Sequence, residues 1–301
     1  MPLPDEPGPH SLPGGEYVRE RSGEGRDLTR PPEPAPLAVP VYDNHTHLEI
    51  KDGDAFGYRE ALDAAERSGV AGVIQVGGDV PSSEWSAALA ELDPRVLAAV
   101  ALHPNEAPGY ADADTLFDAL GRIDELAAQP RVRAVGETGL DFFRTGEDGR
   151  RAQHESFEAH IDIAKRHGIA LQIHDRDAHD AVVETLLRVG APERTVFHCF
   201  SGDEDLARIA NEHGWYMSFA GTLTFGNAHN LHRAITVADP ELLLVETDAP
   251  FLTPAPHRGR PNSPYLIPVT VRAMAERRGV DADALAAQLT ENTHRAYGTW
   301  A

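Results

Sequence analysis

Residues 41–50 read VYDNHTHLEI, an apolar start, an acid, and two histidines separated by one threonine. In an extended chain successive side chains alternate faces, so His45 and His47 point one way while Asn44 and Thr46 point the other. Two imidazoles then converge on one point, and a strand that ends on them is the first unit of a fold that gathers ligands at strand ends.

Working outward, short apolar runs recur at 40–43, 72–77, 96–102, 132–136, 169–173, 195–197, 215–219 and 242–246. Amphipathic segments such as 58–68, 113–128, 152–167 and 203–213 lie between them, each long enough for a crossover helix. Strands that are apolar throughout and spaced by helices indicate a parallel sheet buried on both faces. Eight such units predict an α/β fold, a single-domain (β/α)8 TIM barrel over residues 39–301, with an open doubly wound sheet as the structural alternative. A barrel of this kind commonly needs about 250 residues, which the 301-residue chain accommodates. Residues 1–38 hold nine prolines and almost no apolar periodicity, and read as a proline-rich disordered N-terminal tail.

Composition narrows the function. The 27 basic and 48 acidic residues leave a net charge of −21, which argues against coating nucleic acid through a broad basic surface. The single cysteine, Cys199, rules out an internal disulfide framework and thiolate zinc clusters, and fits a reducing cytoplasm. By alternation it faces away from His198 and reads as a small buried apolar residue. The start lacks a basic segment followed by an apolar run, so no secretory signal is expected. No stretch approaches the roughly 18 apolar residues of a membrane span. A protein partner is not inferable.

Barrel enzymes carry their chemistry at the carboxyl ends of the strands. Those ends present His45 and His47, then His103, Glu137, His174, His198 and Asp248. His45, His47, His174 and His198 with Glu137 and Asp248 make a nitrogen and oxygen donor set suited to zinc, manganese or magnesium. Six ligands exceed one tetrahedral ion, whereas two divalent metal ions about 3.5–4 Å apart sharing a carboxylate use them all. His154, His160, His167, His213, His229 and His232 fall within helical patterns, where solvated or capping roles are expected. Asp248, able to touch both a metal and a water, is expected to orient or deprotonate the nucleophile. Glu246, on the same strand face, is either its outer partner or an ordinary buried carboxylate.

With DNHTH, GETGLDFFR, IHDRDA, HCFSG and ETDAPFLTPAPHRGRPNSP in order, the chain closely resembles the TatD family of metal-dependent deoxyribonucleases from about residue 41 to TENTHRAYG near the end. The resemblance implies a metal-dependent hydrolase barrel that cleaves phosphodiester bonds of DNA, typically as a 3′–5′ exonuclease on single-stranded ends, possible RNA ends included. It also implies that His45, His47, Glu137 and Asp248 surround one ion and that Glu137, His174 and His198 surround the second, Glu137 and Asp248 being the catalytic carboxylates. His103, Arg176 and Arg258 match positions near the substrate phosphates. Two departures are Glu49, where the family often has aspartate, and the N-terminal tail.

Two other readings stand at this stage. A superfamily hydrolase of a small phosphoester, amide or ester is disfavoured because many such relatives use a carboxylated lysine on the fourth strand. The only lysines here, Lys51 and Lys165, are not placed for it. A non-catalytic metal-stabilised binding module is disfavoured by Asp248.

Overall fold

Eight parallel strands follow one another around a single axis in the computed structural model, which describes residues 19–53, 56–110 and 113–300. They are β1 (Val41–Thr46), β2 (Val70–Val76), β3 (Val96–Val100), β4 (Val132–Asp141), β5 (Ala170–Arg176), β6 (Thr195–Phe197), β7 (Tyr216–Phe219) and β8 (Leu243–Val245). Each pairs in parallel with the next in sequence. The seam between β8 and β1 closes through two backbone bonds, Asp248 N to His45 O (2.9 Å) and His47 N to Ala249 O (2.7 Å). This is the expected (β/α)8 barrel rather than an open sheet.

Helices α1 (Tyr58–Arg67), α2 (Val80–Leu92), α3 (Ala113–Ala127), α4 (Glu147–His167), α5 (His179–Val189), α6 (Glu204–His213), α7 (His229–Val237) and α8 (Ile267–Arg278) each follow the strand of the same number, and α9 (Ala282–Tyr297) ends the chain. The alternation of side chains along each strand divides the apolar residues between two layers. Ile74, Leu97, Ala99, Ala134, Val196 and Leu244 fill the barrel interior, while Val73, Ala98, Val135, Leu171, Phe197 and Val245 face the helices. Helix α9 is tied to the seam strands by Asn44 Nδ2 to Thr293 Oγ1 (3.2 Å) and Asn292 Nδ2 to Leu243 O (2.7 Å). Among the described residues no helix is long and apolar enough to cross a membrane.

Two expectations need revision. Strand β4 runs on to Asp141 instead of ending at 136, because Thr138 to Asp141 continue the ladder against Ile173 to Arg176 of β5. The expected disordered tail is overturned for residues 19–38, whereas residues 1–18 lie outside the described residues. Arg19–Glu20 pairs in parallel with Ile50–Lys51, Leu37 is buried, and Tyr265 Oη donates to Pro31 O at 2.6 Å. An extended segment held by guanidinium groups and backbone needs no apolar periodicity, so composition alone did not reveal it.

His160, on α4, is neither solvated nor a cap. It is fully buried, its Nδ1 donates to Ser156 O (2.6 Å) and its Nε2 accepts from Leu102 N (3.1 Å), fixing the chain just past β3. Burial pushes its pKa from 6.5 down to about 4. Between those values the unfolded chain takes up a proton that the folded chain refuses, so stability falls as pH drops through the window. The loss attributable to this group at pH 5 is about 2 kcal/mol. In metal-free protein, His160→Gln keeps an acceptor for Leu102 N and should lose less stability between pH 7 and pH 5 than the wild type in urea denaturation. Equal losses would contradict this assignment.

Candidate metal centre

The end of β1 delivers what its alternation promised. Asn44 turns away and donates to Val245 O (2.8 Å), while His45 and His47 bring their Nε2 atoms to 3.2 Å of each other. Which nitrogen is free follows from the partner of the other. His47 Nδ1 faces Val76 O at 2.9 Å and must donate, so the neutral ring presents a lone pair on Nε2. His198 Nδ1 faces Glu246 Oε1 at 3.0 Å, leaving Nε2 toward Glu137. Glu246 is therefore the outer partner of His198, and the same oxygen accepts from Cys199 N at 2.8 Å. Cys199 itself is half-buried.

Glu137 sits within β4 between two glycines that the packing requires. A Cβ on Gly136 would fall 2.4 Å from Gln172 Cβ, and one on Gly139, at φ +136°, would fall 2.2 Å from His174 O. The GETG sequence thus lets β4 press against β5 and places the carboxylate at the centre of the barrel mouth. Its two oxygens face different partners. Oε1 lies 3.7 Å from His45 Nε2 and 3.3 Å from His47 Nε2, and Oε2 lies 3.2 Å from His174 Nδ1 and 3.0 Å from His198 Nε2. Asp248, held in the left-handed region at φ 53°, brings Oδ1 to 3.5 Å of His47 Nε2 and 3.9 Å of His45 Nε2. A side chain in that conformation costs on the order of 1–3 kcal/mol and marks a place where geometry outranks comfort.

The electrostatics match. Burial works to raise Glu137, yet the facing histidines hold it well below the usual carboxylate range, and Asp248 is lowered in the same way. Burial works to lower His47 and His198, yet carboxylates raise both well above the ordinary histidine value, Asp248 and Glu137 for His47 and Glu246 and Glu137 for His198. The Nε2 atoms of His47 and His198 and the oxygens of Glu137 and Asp248 all point into one buried space, where a metal cation that displaces the Nε2 protons is the natural complement. Among the described residues, three sets of donor atoms lie within 4.8 Å of one another, His45–Glu137–His198, His45–His47–Asp248 and His103–Glu137–His174.

His103 differs in kind. Its Nδ1 accepts from Asn105 N at 3.0 Å, so the neutral ring carries its proton on Nε2, which points at Glu137 Oε2 3.6 Å away. Burial drives its pKa down to about 3, so it stays a neutral donor. Arg176 and Arg258 stand outside this cluster, their guanidinium carbons 4.0 Å and 4.4 Å from the ring centres of Phe143 and Phe225.

Two buried acids, Asp141 and Asp43, escaped sequence reasoning, and a third, Glu49, entered it only as a departure from the family pattern. Asp141 Oδ2 lies 3.2 Å from His174 Nε2 and accepts from Asn105 Nδ2 (2.9 Å), orienting the ring whose other nitrogen meets Glu137. Asp43 accepts from His45 N (3.2 Å) and Thr247 N (2.9 Å) across the seam, and burial lifts its carboxyl to about 7. Glu49, set aside from the ligand set, stands behind His47 with Oε1 at 3.5 Å from Nδ1 and accepts from Gln75 Nε2 at 2.6 Å. The available signal was an acid within or beside an apolar strand, where an unpaired carboxylate is costly.

A family model described as TatD related DNase matches residues 42–298. The chain belongs to that family. It is 44% identical over 263 residues to an uncharacterized metal-dependent hydrolase, TatD, of Mycobacterium tuberculosis, covering 86% of this chain and 98% of the relative. It is 32% identical over 258 residues to an uncharacterized metal-dependent hydrolase, YabD, of Bacillus subtilis, covering 85% and 98%. Among solved structures, the TatD homolog YJJV of Escherichia coli superposes with a TM-score of 0.77 at 28% identity, covering 86% of this chain and 98% of that one. The fold and the family of metal-dependent hydrolases agree with what the motifs implied.

Glu246→Gln keeps an oxygen for His198 Nδ1 and Cys199 N but removes the charge behind the imidazole. Outer partners of this kind are worth about 10–100-fold in metal affinity. Calorimetric titration with Mn2+ should show a loss in that range with an intact thermal transition. Unaltered affinity would reduce Glu246 to a packing role.

Proposed function

We propose that this protein is a two-metal phosphodiesterase that removes nucleotides from the 3′ end of single-stranded DNA. The observation that carries the proposal is the division of Glu137, with Oε1 toward His45 and His47 and Oε2 toward His174 and His198. His45, His47 and Asp248 with Oε1 would hold one divalent ion, and His174 and His198 with Oε2 a second. Zinc, manganese and magnesium all suit these donors. When bound, such a pair supplies an acidified water and neutralises charge on the phosphoryl oxygens.

The chain's own residues do the rest. Asp248, ionised and at the rim of the cluster, orients the attacking water and accepts its proton. His103 offers its Nε2–H to a phosphoryl oxygen. Arg176 and Arg258 fork onto neighbouring phosphates, and Phe143, 62% exposed beneath Arg176, offers a face on which a base can stack. A platform of that sort suits an unpaired strand better than a duplex. The net charge of −21 repels a polyanion at long range, so binding relies on this short contact zone.

Metal analysis after dialysis should find that Glu137→Ala loses both ions while His45→Ala mainly weakens one. Two full equivalents retained by Glu137→Ala would contradict the shared carboxylate. Wild type should release the 3′ nucleotide first from a labelled linear single strand, and a chelator should abolish the reaction. Turnover of a generic phosphodiester with DNA untouched would point instead to a small phosphoester. With Asp248→Asn to suppress cleavage and metals saturating, log affinity against log salt should fall with a slope near −2, at about −0.7 per neutralised phosphate. A slope of about −5 or steeper would mean a long groove.

A further inference from the structure

We infer that the strap of residues 19–30 is a positioning element for one half of the metal centre: it clasps the loop after β1 to the loop after β8 through Asp52, and so sets His45 and His47 against Asp248. The inference rests on the two-ion reading above. The family model begins at residue 42, so the strap lies outside the matched span.

Asp52 is the anchor. It is 4% exposed, and its carboxylate receives Arg26 through Nη1 (2.6 Å) and Nη2 (2.8 Å) and Arg21 through Nη1 (3.3 Å). Arg30 Nη2 donates to the Asp52 carbonyl at 3.0 Å. Five residues before Asp52 is His47, whose carbonyl accepts from Ile50 N at 3.2 Å, and Ile50–Lys51 pairs with the strap residues Arg19–Glu20. On the other side Arg21 Nη1 donates to Pro250 O (2.7 Å) and Arg26 Nε to Gly259 O (3.2 Å), while Asp27 pairs with Arg260 at 2.8 Å. Arg21 also lies 4.8 Å above the ring of Phe251, whose N–H donates to Asp248 O (2.8 Å) and whose ring meets His47 edge-on at 6.2 Å.

The two loops need such a clasp. Strand β8 is three residues long, and beside the side-chain bonds of Asn44 and Asp43 its seam with β1 has two backbone bonds, Asp248–His45 and His47–Ala249. The other half has its own rigid support, since Glu137 directly precedes Thr138–Asp141, which pair with Ile173–Arg176 of β5 and so with His174, and His198 follows β6, which pairs with β5. Removing Arg26 leaves the buried Asp52 carboxylate short of its bidentate partner, and the strain is relieved by movement of the β1 loop. The His45, His47 and Asp248 half then loses its geometry while the Glu137, His174 and His198 half keeps it.

The test is titration of Mn2+ into chelator-stripped full-length protein, resolving the two dissociation constants by calorimetry. Arg26→Ala should weaken one constant about tenfold and leave the other within about twofold. Arg26→Lys should recover part of the loss. Arg272→Ala, which frees the far end of the segment by removing donors to Ala35 O (2.7 Å) and Pro36 O (3.0 Å), should leave both constants unchanged. Unchanged constants in Arg26→Ala, or equal weakening of both, would overturn the inference. A single ion bound by the wild type would overturn the two-ion reading and this inference with it, a result distinguishable because it appears without any substitution.

Discussion

A carboxylate buried among imidazoles is the constraint on which this barrel mouth is built. Glu137 is 6% exposed, and ring nitrogens of His45, His47, His103, His174 and His198 all lie within 3.7 Å of its oxygens. Burying a charge costs several kcal/mol unless it is met by opposite charge and hydrogen bonds. Four strands, β1, β3, β5 and β6, carry or lead into the rings that meet it. The glycines on either side of Glu137 exist in the same cause, because a side chain at either position would drive β4 off β5.

Behind four of the five imidazoles, those of His47, His103, His174 and His198, stands a group that decides what the ring can do. Val76 O and Glu246 take the Nδ1 protons of His47 and His198 and turn their Nε2 lone pairs inward. Asn105 N does the opposite to His103, donating to Nδ1 and leaving a proton on Nε2. Residues of the same type thus present a lone pair or an N–H according to their partners. A centre that mixes lone pairs for cations with one N–H for an anion is suited to a phosphate ester, which needs both.

The architecture was legible in the sequence because two periodicities agreed. Apolar runs such as VLAAV can only be buried on both faces, and the histidines fall where those runs stop. The gaps have physical causes. β4 seemed to end at Gly136 because glycine weakens a strand pattern, although here it permits the close pairing that carries the strand to Asp141. Asp43 and Asp141 gave no sign of their roles, since a lone acid does not announce the backbone N–H that pairs with it. The strap was hidden for another reason. Arg26 and Asp52 are 26 residues apart with no repeating pattern between them, and a contact of guanidinium to carboxylate leaves no periodic trace. Proline and charge marked the segment as unable to form a core, which is true, but a core was not what held it.

Diffraction from crystals of the Mn2+-loaded wild-type protein, recorded at the manganese absorption edge, tests the central claim most directly. The account predicts two anomalous peaks at the barrel mouth, one beside His45, His47 and Asp248 and one beside His174 and His198, with one oxygen of Glu137 directed to each. A single peak, or two peaks of which only one is ligated by Glu137, would contradict it.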